Sequence, residues 1–456
     1  MKKSLFVYGL VFAVLFAVLG NAAWASGGAQ QAPAGPVTIR FWHSMADEAA
    51  IAFDEYVREF YAGPGAAKQI TVEAVFQGQY ADATAKLRPL LQTRQTNTLP
   101  DVMQIDATGV VDYLNTDYAF TVDDALAADR SYDIKQIMDA PLKAWNYGGR
   151  QLGIPVSAST TVMYYNKSLL DAAGVNNPPT SFEEIIDVSR RLPAVNSNNQ
   201  KLTAFAQQPN TPLLANWIGQ IPGQGVGSSY VVNNRNGRDG NAEKLVCDTE
   251  GTLLKFLAGW KAMYDAGALL NVSDGLSNLF LTQQIAFYTA STSSLTSLLS
   301  QIAGRFELGC TYFPRVNNAA KPGAAVSGSA LFMFNKGDKA KTNAAWEFVK
   351  FMSSADIQAR FGAATGYTPV NLGSAREASY AAHVAKYPQA EVGTKQLAET
   401  SPDMMGVIVG PSRDFYYEIV NQVSSMLVDK KTPEETVKTM AAALNLLLDD
   451  YAEANR

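Results

Sequence analysis

The sequence predicts an α/β protein built as two lobes. Short β-rich runs alternate with helical apolar patterns from residue 37 onward, and this alternation is typical of a mostly parallel sheet covered by helices. The chain has 456 residues, more than one hydrophobic core usually covers, so two lobes are expected. Its composition, 47% hydrophobic and 17% charged, is that of an ordinary globular protein.

The first part of the chain predicts strand, helix, strand, helix, strand. The strands are expected at 37–41 (VTIRF), 70–76 (ITVEAVF) and 101–106 (DVMQID). A helix between the first two places Phe53, Tyr56, Val57 and Phe60 on one face, and a second helix covers 80–93. This order and spacing indicate right-handed βαβ units.

The same style continues in the second part. Strands are predicted at 161–166 and 284–289, and a helix at 253–264. Ser181 is placed to cap a helix, with Glu184 three residues later reaching back to the backbone of the cap residue.

The last part of the chain predicts an amphipathic helix at 342–351 and a turn at 366–369. It ends with a helix that Thr432 caps and Pro433 opens. The buried stripe of that helix is expected to be Val437, Met440, Leu444, Leu447 and Tyr451.

The N-terminus predicts export from the cytoplasm. Lys2 and Lys3 precede an uncharged apolar run at 5–19, and Ala23-Trp24-Ala25 offers the small-x-small pattern of a cleavage site. Residues 1–25 are therefore expected to be a signal peptide and 26–36 a flexible leader, so that a soluble periplasmic or extracytoplasmic protein remains.

Charge and cysteine content exclude some partners and leave one pairing open. The net charge is −5 and no basic patch runs along the chain, which argues against nucleic acid. The two cysteines, Cys247 and Cys310, could pair in an oxidising compartment or remain two buried thiols.

Several catalytic patterns are missing from the sequence. Two histidines cannot form a His-rich metal site, and neither a G-x-S-x-G elbow nor a G-K-[ST] phosphate loop occurs. The 223–227 run (GQGVG) lacks dinucleotide-binding spacing and is expected to be a loop. We expect no enzyme, cofactor or metal, although two well-placed carboxylates of a secreted glycosidase would escape this test.

Five segments, in order, resemble the family 1 extracellular solute-binding proteins of ABC importers. They are 39–45 (IRFWHSM), 153–155 (GIP) with 162–167 (VMYYNK), 178–184 (PPTSFEE), 345–354 (AWEFVKFMSS) and 366–370 (GYTPV). Within the family the chain is most similar to members that bind glycerol 3-phosphate, on the points 41–45, 78–80, 289–291 and Arg413.

The resemblance implies a two-lobed periplasmic-binding-protein fold of type II, maltose-binding-protein-like, with ligand in the interlobe cleft. The implied lobes are 37–154 plus 289–331 and 155–288 plus 332–456, with hinge crossings near 155–157, 286–291 and 329–334. Ligand would drive hinge closure, and the closed form would deliver it to permease subunits in the inner membrane. A monomer is expected.

The resemblance also implies ligand-binding residues. Arg413 matches a phosphate-binding arginine and suits a bidentate phosphate contact, although a salt bridge with Asp414 or Glu418 is the alternative. Tyr80 and Tyr367 match two site tyrosines, and Asp106 lies one residue before Ala107, where the glycerol 3-phosphate binders carry a glutamate. The other candidates are Ser157, Ser159, Trp217, Ser291, Thr292 and Gly328.

The predicted function is capture of glycerol 3-phosphate or a related glycerophosphodiester. The replacement of glutamate by Ala107 leaves two alternatives open. The glycerol end is held by other groups, or the ligand is larger, such as a phosphodiester or a sugar. A neutral sugar or oligosaccharide bound by the same fold is the second hypothesis.

Overall fold

The computed structural model describes residues 35–107, 109–114, 116–222, 229–272 and 274–454. The predicted signal peptide, nearly all of the leader and the 223–227 loop lie outside these residues. The described strands are β1 (Val37–His43), β2 (Ile70–Phe76), β3 (Val102–Asp106), β4 (Ala119–Phe120), β5 (Asn146–Tyr147), β6 (Arg150–Gln151), β7 (Ile154–Asn166), β8 (Thr203–Ala206), β9 (Leu269–Leu270), β10 (Ile285–Ser291), β11 (Leu308–Tyr312) and β12 (Val326–Phe334).

Helices connect and cover these strands. They are α1 (Asp47–Ala62), α2 (Pro64–Lys68), α3 (Tyr80–Gln92), α4 (Val110–Leu114), α5 (Val122–Ala128), α6 (Asp139–Lys143), α7 (Lys167–Ala172), α8 (Phe182–Ser189), α9 (Thr211–Gln220), α10 (Asn233–Gly237), α11 (Thr252–Asp265), α12 (Leu276–Leu281), α13 (Leu295–Ile302), α14 (Lys339–Met352), α15 (Ala355–Thr365), α16 (Ala378–Lys386), α17 (Gln389–Glu399), α18 (Ser412–Val428) and α19 (Pro433–Ala454). Short 3-10 turns lie at Ile134–Gln136, Thr292–Ser294 and Ser374–Arg376.

The principal sheet has the order β2-β1-β3-β12-β7-β10-β8-β9, with β11 paired to β7 and β4 to β12. Strand β1 is parallel to β2 and β3, and β8 is parallel to β10 and β9, as the βαβ pattern predicts. In the middle, β12 and β7 run antiparallel to their neighbours. The sheet is therefore mixed rather than mostly parallel.

Strand β7 joins the two lobes. Its first half, up to Thr160, pairs with β12, and its second half, from Thr161, pairs with β10 and β11. The sequence predicts only residues 161–166 as strand, because the small polar residues before them carry no β signal. We call the part around β1, β2, β3 and β12 the first lobe and the part around β8, β9, β10 and β11 the second lobe.

Each lobe buries apolar residues on both faces of its strands. In the first lobe Phe41 faces one cluster and Met103 the other. In the second lobe Phe205 and Ala206, neighbours in β8 that point to opposite faces, likewise belong to different clusters. This two-faced burial is what helices on both sides of a sheet produce, and it agrees with the predicted fold class.

The packing of α13 and α14 indicates to which lobe each of these helices belongs. Helix α13 contributes Leu295 and Leu298 to the cluster of Ile285, so it packs in the second lobe. Helix α14 packs Phe348 against Phe41, with ring centroids 5.2 Å apart, so it belongs with the first lobe. The lobe boundaries expected from the resemblance place both helices in the opposite lobes.

The cap residues Ser181 and Thr432 are confirmed, but the predicted contact of Glu184 with the Ser181 backbone is wrong. The Ser181 hydroxyl accepts from Glu184 N at 3.2 Å, but the Glu184 carboxylate reaches Thr180 N at 2.6 Å rather than the Ser181 backbone. At α19, Thr432 and Glu435 form the reciprocal cap.

The stripe of α19 is buried at Met440 and Leu444, while Tyr451 is 40% exposed. No helix among the described residues is long and apolar enough to span a membrane.

Candidate functional site

Four strands and the start of one helix meet at a chain of buried hydrogen bonds. Ser44 N donates to Gln104 Oε1 at 3.0 Å, and Gln104 Nε2 donates to Ser157 Oγ at 2.8 Å. The Ser157 and Ser329 hydroxyls share a 2.6 Å bond, and the Tyr80 hydroxyl donates to Ser329 at 3.1 Å. Ser157 is 0% exposed, so this network fixes the strand ends that carry the site. The sequence predicted Tyr80 and Ser157 as site residues but did not predict that Gln104 and Ser329 belong to the same hydrogen-bond network.

Tyr80 and Tyr367 lie beside each other, as the resemblance implies. Burial raises the pKa of Tyr80, and the nearby Tyr367 adds to the rise. Burial also raises the pKa of Tyr367, whose ring stacks on Phe361 with centroids 5.4 Å apart. Both phenols are therefore neutral hydrogen-bonding groups at physiological pH.

Asp106 ends β3 beside this network. Its backbone is in register with Ser329 of β12. The charge of its carboxylate contributes to the raised pKa of both Tyr80 and Tyr147. Asp106 thus places a negative group at the same strand end as the two site hydroxyls.

Gly328 and Ser159 support the strand pairing beside the network. Gly328 has φ +104°, and a Cβ there would overlap the Ser157 carbonyl oxygen, so β12 approaches β7 closely only with glycine. Ser159 is 5% exposed and faces Ser327 across the pair. Their role in the structure is to hold two strands together.

Ser291 and Thr292 lie where β10 ends, next to the crossing between the lobes. Thr292 Oγ1 accepts from Thr160 N at 3.3 Å and shares a 3.2 Å bond with the Thr368 hydroxyl. The Ser291 hydroxyl shares a 2.8 Å bond with that of Ser293. The structure therefore brings these hydroxyls to the segment that carries Tyr367.

A cavity of about 740 Å³ opens beside these groups. The starts of α1 and α3 line it from the first lobe, hydroxyl-bearing residues of α13 line it from the second lobe, and the end of α15 closes one side. The residues that the argument below uses are Asp47, Glu48, Tyr80, Ser293, Ser297 and Tyr367. This volume suits a small polar solute held by several hydrogen bonds.

Trp217 does not reach this cavity, which corrects its prediction as a ligand contact. The side chain is 0% exposed inside α9, and its Nε1 donates to Pro314 O at 3.2 Å. Its ring stacks on Phe256, with centroids 5.1 Å apart, and packs on Phe313 and Trp260. Trp217 fills the core of the second lobe because α9 is buried on every side.

Arg413 is exposed at the first turn of α18, where its guanidinium lies 5.9 Å from the centre of the Tyr417 ring. The structure does not place it against the Tyr80 network, and among the described residues its alternative ion pair with Asp414 or Glu418 does not form.

The described residues also hold no cluster of His, Cys, Asp and Glu arranged for a metal. Cys247 and Cys310 are both free thiols, which resolves their pairing in favour of two separate residues.

Comparisons with known proteins show the family and the fold of the chain. Residues 55–391 match the family model described as bacterial extracellular solute-binding protein. The sn-glycerol-3-phosphate-binding periplasmic protein UgpB of Salmonella typhimurium is 22% identical over 430 residues, which cover 92% of this chain and 94% of that protein.

Two solved structures show the same fold. UgpB from Mycobacterium tuberculosis, in complex with glycerophosphocholine, has a TM-score of 0.68 at 22% identity and covers 91% of this chain and 99% of its own. The sugar-binding protein MalE from Xanthomonas citri has a TM-score of 0.72 at 19% identity, with coverage of 91% and 98%.

Proposed function

Because the chain belongs to the family of bacterial extracellular solute-binding proteins, we propose that it captures a phosphate-bearing polyol for an ABC importer. The proposed ligand is glycerol 3-phosphate or a glycerophosphodiester, held between the lobes. The observation that carries the proposal is the hydroxyl-lined cavity at which Tyr80, Tyr367 and the start of α13 meet. Membership of a solute-binding family gives no support to the hypothesis of a secreted glycosidase.

The chemistry of the site suits a ligand rich in oxygens. Neutral phenols and serine hydroxyls both donate and accept hydrogen bonds, so they can hold hydroxyls and phosphate oxygens alike. Asp106 can accept from a ligand hydroxyl, which is the role that a glutamate at position 107 would otherwise have. Asp47 and Glu48 add negative charge to the lining of the cavity, which favours a hydroxyl or a cationic head group beside them.

We propose that closure works through the crossing in β7. The packing of α13 and α14 favours a first lobe of about 37–160 plus 326–365, with the second lobe formed by most of the remaining described chain. A ligand that contacts both lobes stabilises the closed form, because those contacts exist together only there. The closed protein would then dock on permease subunits as a monomer outside the cytoplasm.

A neutral sugar is the second candidate ligand. The charged residues lining the described cavity are acidic, and the fold is shared with a sugar-binding protein. In that case hydroxyl and aromatic contacts supply the affinity, and Arg413 is dispensable.

Isothermal titration calorimetry of the chain from Ser26 onward tests these proposals. The titrants are glycerol 3-phosphate, glycerophosphocholine, maltose and a hexose. We expect a phosphate-bearing solute to bind with a micromolar Kd. Arg413 lies outside the lining of the described cavity, so Arg413→Ala should weaken binding about 10- to 100-fold only if closure brings its guanidinium to the phosphate, while Arg130→Ala, at an exposed position, binds normally. Binding of maltose alone, unchanged in Arg413→Ala, would overturn the phosphate assignment and keep the solute-binding role.

A further inference from the structure

A second polar contact joins the lobes at Arg238. Its Nε donates to Ala144 O at 3.2 Å, and Gly148 N donates to the Arg238 carbonyl at 2.9 Å. The guanidinium lies 5.4 Å from the centre of the Tyr147 ring. Residues 144–148 follow α6 of the first lobe, whereas Arg238 follows α10 of the second lobe, so this contact joins the two lobes.

The charge of Arg238 is buried without a carboxylate partner. The residue is 5% exposed, and Arg238 Nη1 donates to Gly406 O at 2.5 Å. None of the ion pairs found within the described ranges includes Arg238. Its two carbonyl partners occupy two of the five N–H groups of a guanidinium and carry no net charge. A buried cation in this state is stabilised by an anion.

Tyr147 supplies an unused donor beside this cation. The residue is 2% exposed, and its hydroxyl is buried with no hydrogen-bond partner. Burial raises the pKa of Tyr147, with Arg238 opposing the rise and Asp106 adding to it, so the phenol stays protonated at physiological pH. Buried hydroxyls are nearly always satisfied in native proteins, so the Tyr147 hydroxyl is open to a further partner such as a ligand oxygen, an ion or a water.

We propose that Tyr147 and Arg238 form an anion-binding subsite for the phosphate or carboxylate group of the transported solute. This inference rests on the proposed function, and it adds a specific pair of residues beyond Arg413. The pair lies outside the lining of the described cavity, and Asp106 links the two places, because its charge acts on both Tyr80 and Tyr147. The anion accepts from the Tyr147 hydroxyl of the first lobe and from free N–H groups of Arg238 of the second lobe. One charged group thereby ties the lobes together, and recognition of the anion is coupled to closure.

Tyr147→Phe tests the pair most sharply, because it removes one oxygen that makes no hydrogen bond in the ligand-free protein. We expect its melting temperature without ligand to equal or exceed that of the wild type. Its Kd for glycerol 3-phosphate or glycerophosphocholine should rise about tenfold or more, as expected for loss of a hydrogen bond to an anion. Arg238→Gln should weaken the same titrants further, and Tyr61→Phe, at an exposed residue of α1, is the matched control.

The outcomes separate this inference from the proposed function. Equal Kd values for wild type and Tyr147→Phe with a phosphate-bearing titrant would overturn the subsite and leave solute binding intact. Binding of maltose alone would likewise overturn it. A Tyr147→Phe protein that melts lower and loses all titrants equally would show a structural role only, whereas a wild type that binds none of the titrants would contradict both proposals.

Discussion

Replacement of Trp217 by alanine distinguishes a core residue from a ligand contact. The indole is 0% exposed, and four aromatic rings, those of Phe182, Phe256, Trp260 and Phe313, lie with centroids 5.0–5.7 Å from it. Removing a buried tryptophan costs about 3–5 kcal/mol, because the cavity left behind closes only partly. The free energy of unfolding of the second lobe should fall by this amount.

The loss can be measured as a melting temperature by circular dichroism. For a lobe of roughly 250 residues the unfolding entropy is about 0.5 kcal/mol/K, so the midpoint should fall by about 6–10 °C. Tyr61→Ala, at a residue that is 58% exposed, should shift the midpoint by about 1 °C or less.

Solute affinity, unlike the melting temperature, should not change. At a temperature where the variant is folded, Trp217→Ala should bind the cognate solute with a Kd close to that of the wild type. An unchanged midpoint together with lost binding would refute the core assignment and restore Trp217 as a stacking partner of the ligand.

Three further predictions follow from backbone strain, protonation and thiol burial. Gly328→Ala should lower both the urea midpoint of unfolding and the solute affinity, because its Cβ would overlap the Ser157 carbonyl; normal values for both would contradict the required close approach. Burial lowers the pKa of His43 in the folded protein, so the unfolded chain binds a proton more readily. The free energy of unfolding should therefore fall as pH drops below about 6.5, by at most about 1.4 kcal/mol per pH unit. A His43→Asn variant should show a smaller pH dependence, and an equal slope would exclude His43 as its source. Cys247 and Cys310 should both react with a thiol reagent in denaturant without reductant, and Cys247 should be protected in the native protein. Two thiols that react in denaturant only after reduction would contradict free cysteines.

Much of the first lobe could be predicted from sequence because its local signals agree with its tertiary structure. The predicted strand at 70–76 has the same bounds as β2, and the apolar stripe through Phe53 and Phe60 matches α1. Strand β7 was predicted only in its second half, since both of its faces are buried and small polar residues fill its first half. Local pattern shows neither two-sided burial nor a crossing between lobes.

The candidate site likewise contains residues that sequence could predict and residues whose role only the packing reveals. Tyr80 and Tyr367 were found through segments that resemble a known family, and the structure places them together. Trp217 carries no local sign of whether it faces ligand or core. Arg238 lies in a polar stretch that gives no sign of burial in sequence, and only the packing of residues 144–148 against it makes its charge significant.

The most direct test of the central claim is to fill the cavity between the lobes. Ser297 is exposed on α13 and lines this cavity, so Ser297→Trp should fold normally and occupy the space of the solute. Ala382→Trp, at an exposed position of α16 outside the lining, is the control. We predict that titration of the cognate solute shows at least a tenfold weaker Kd in Ser297→Trp and an unchanged Kd in Ala382→Trp. An unchanged Kd in Ser297→Trp would contradict the location of the binding site.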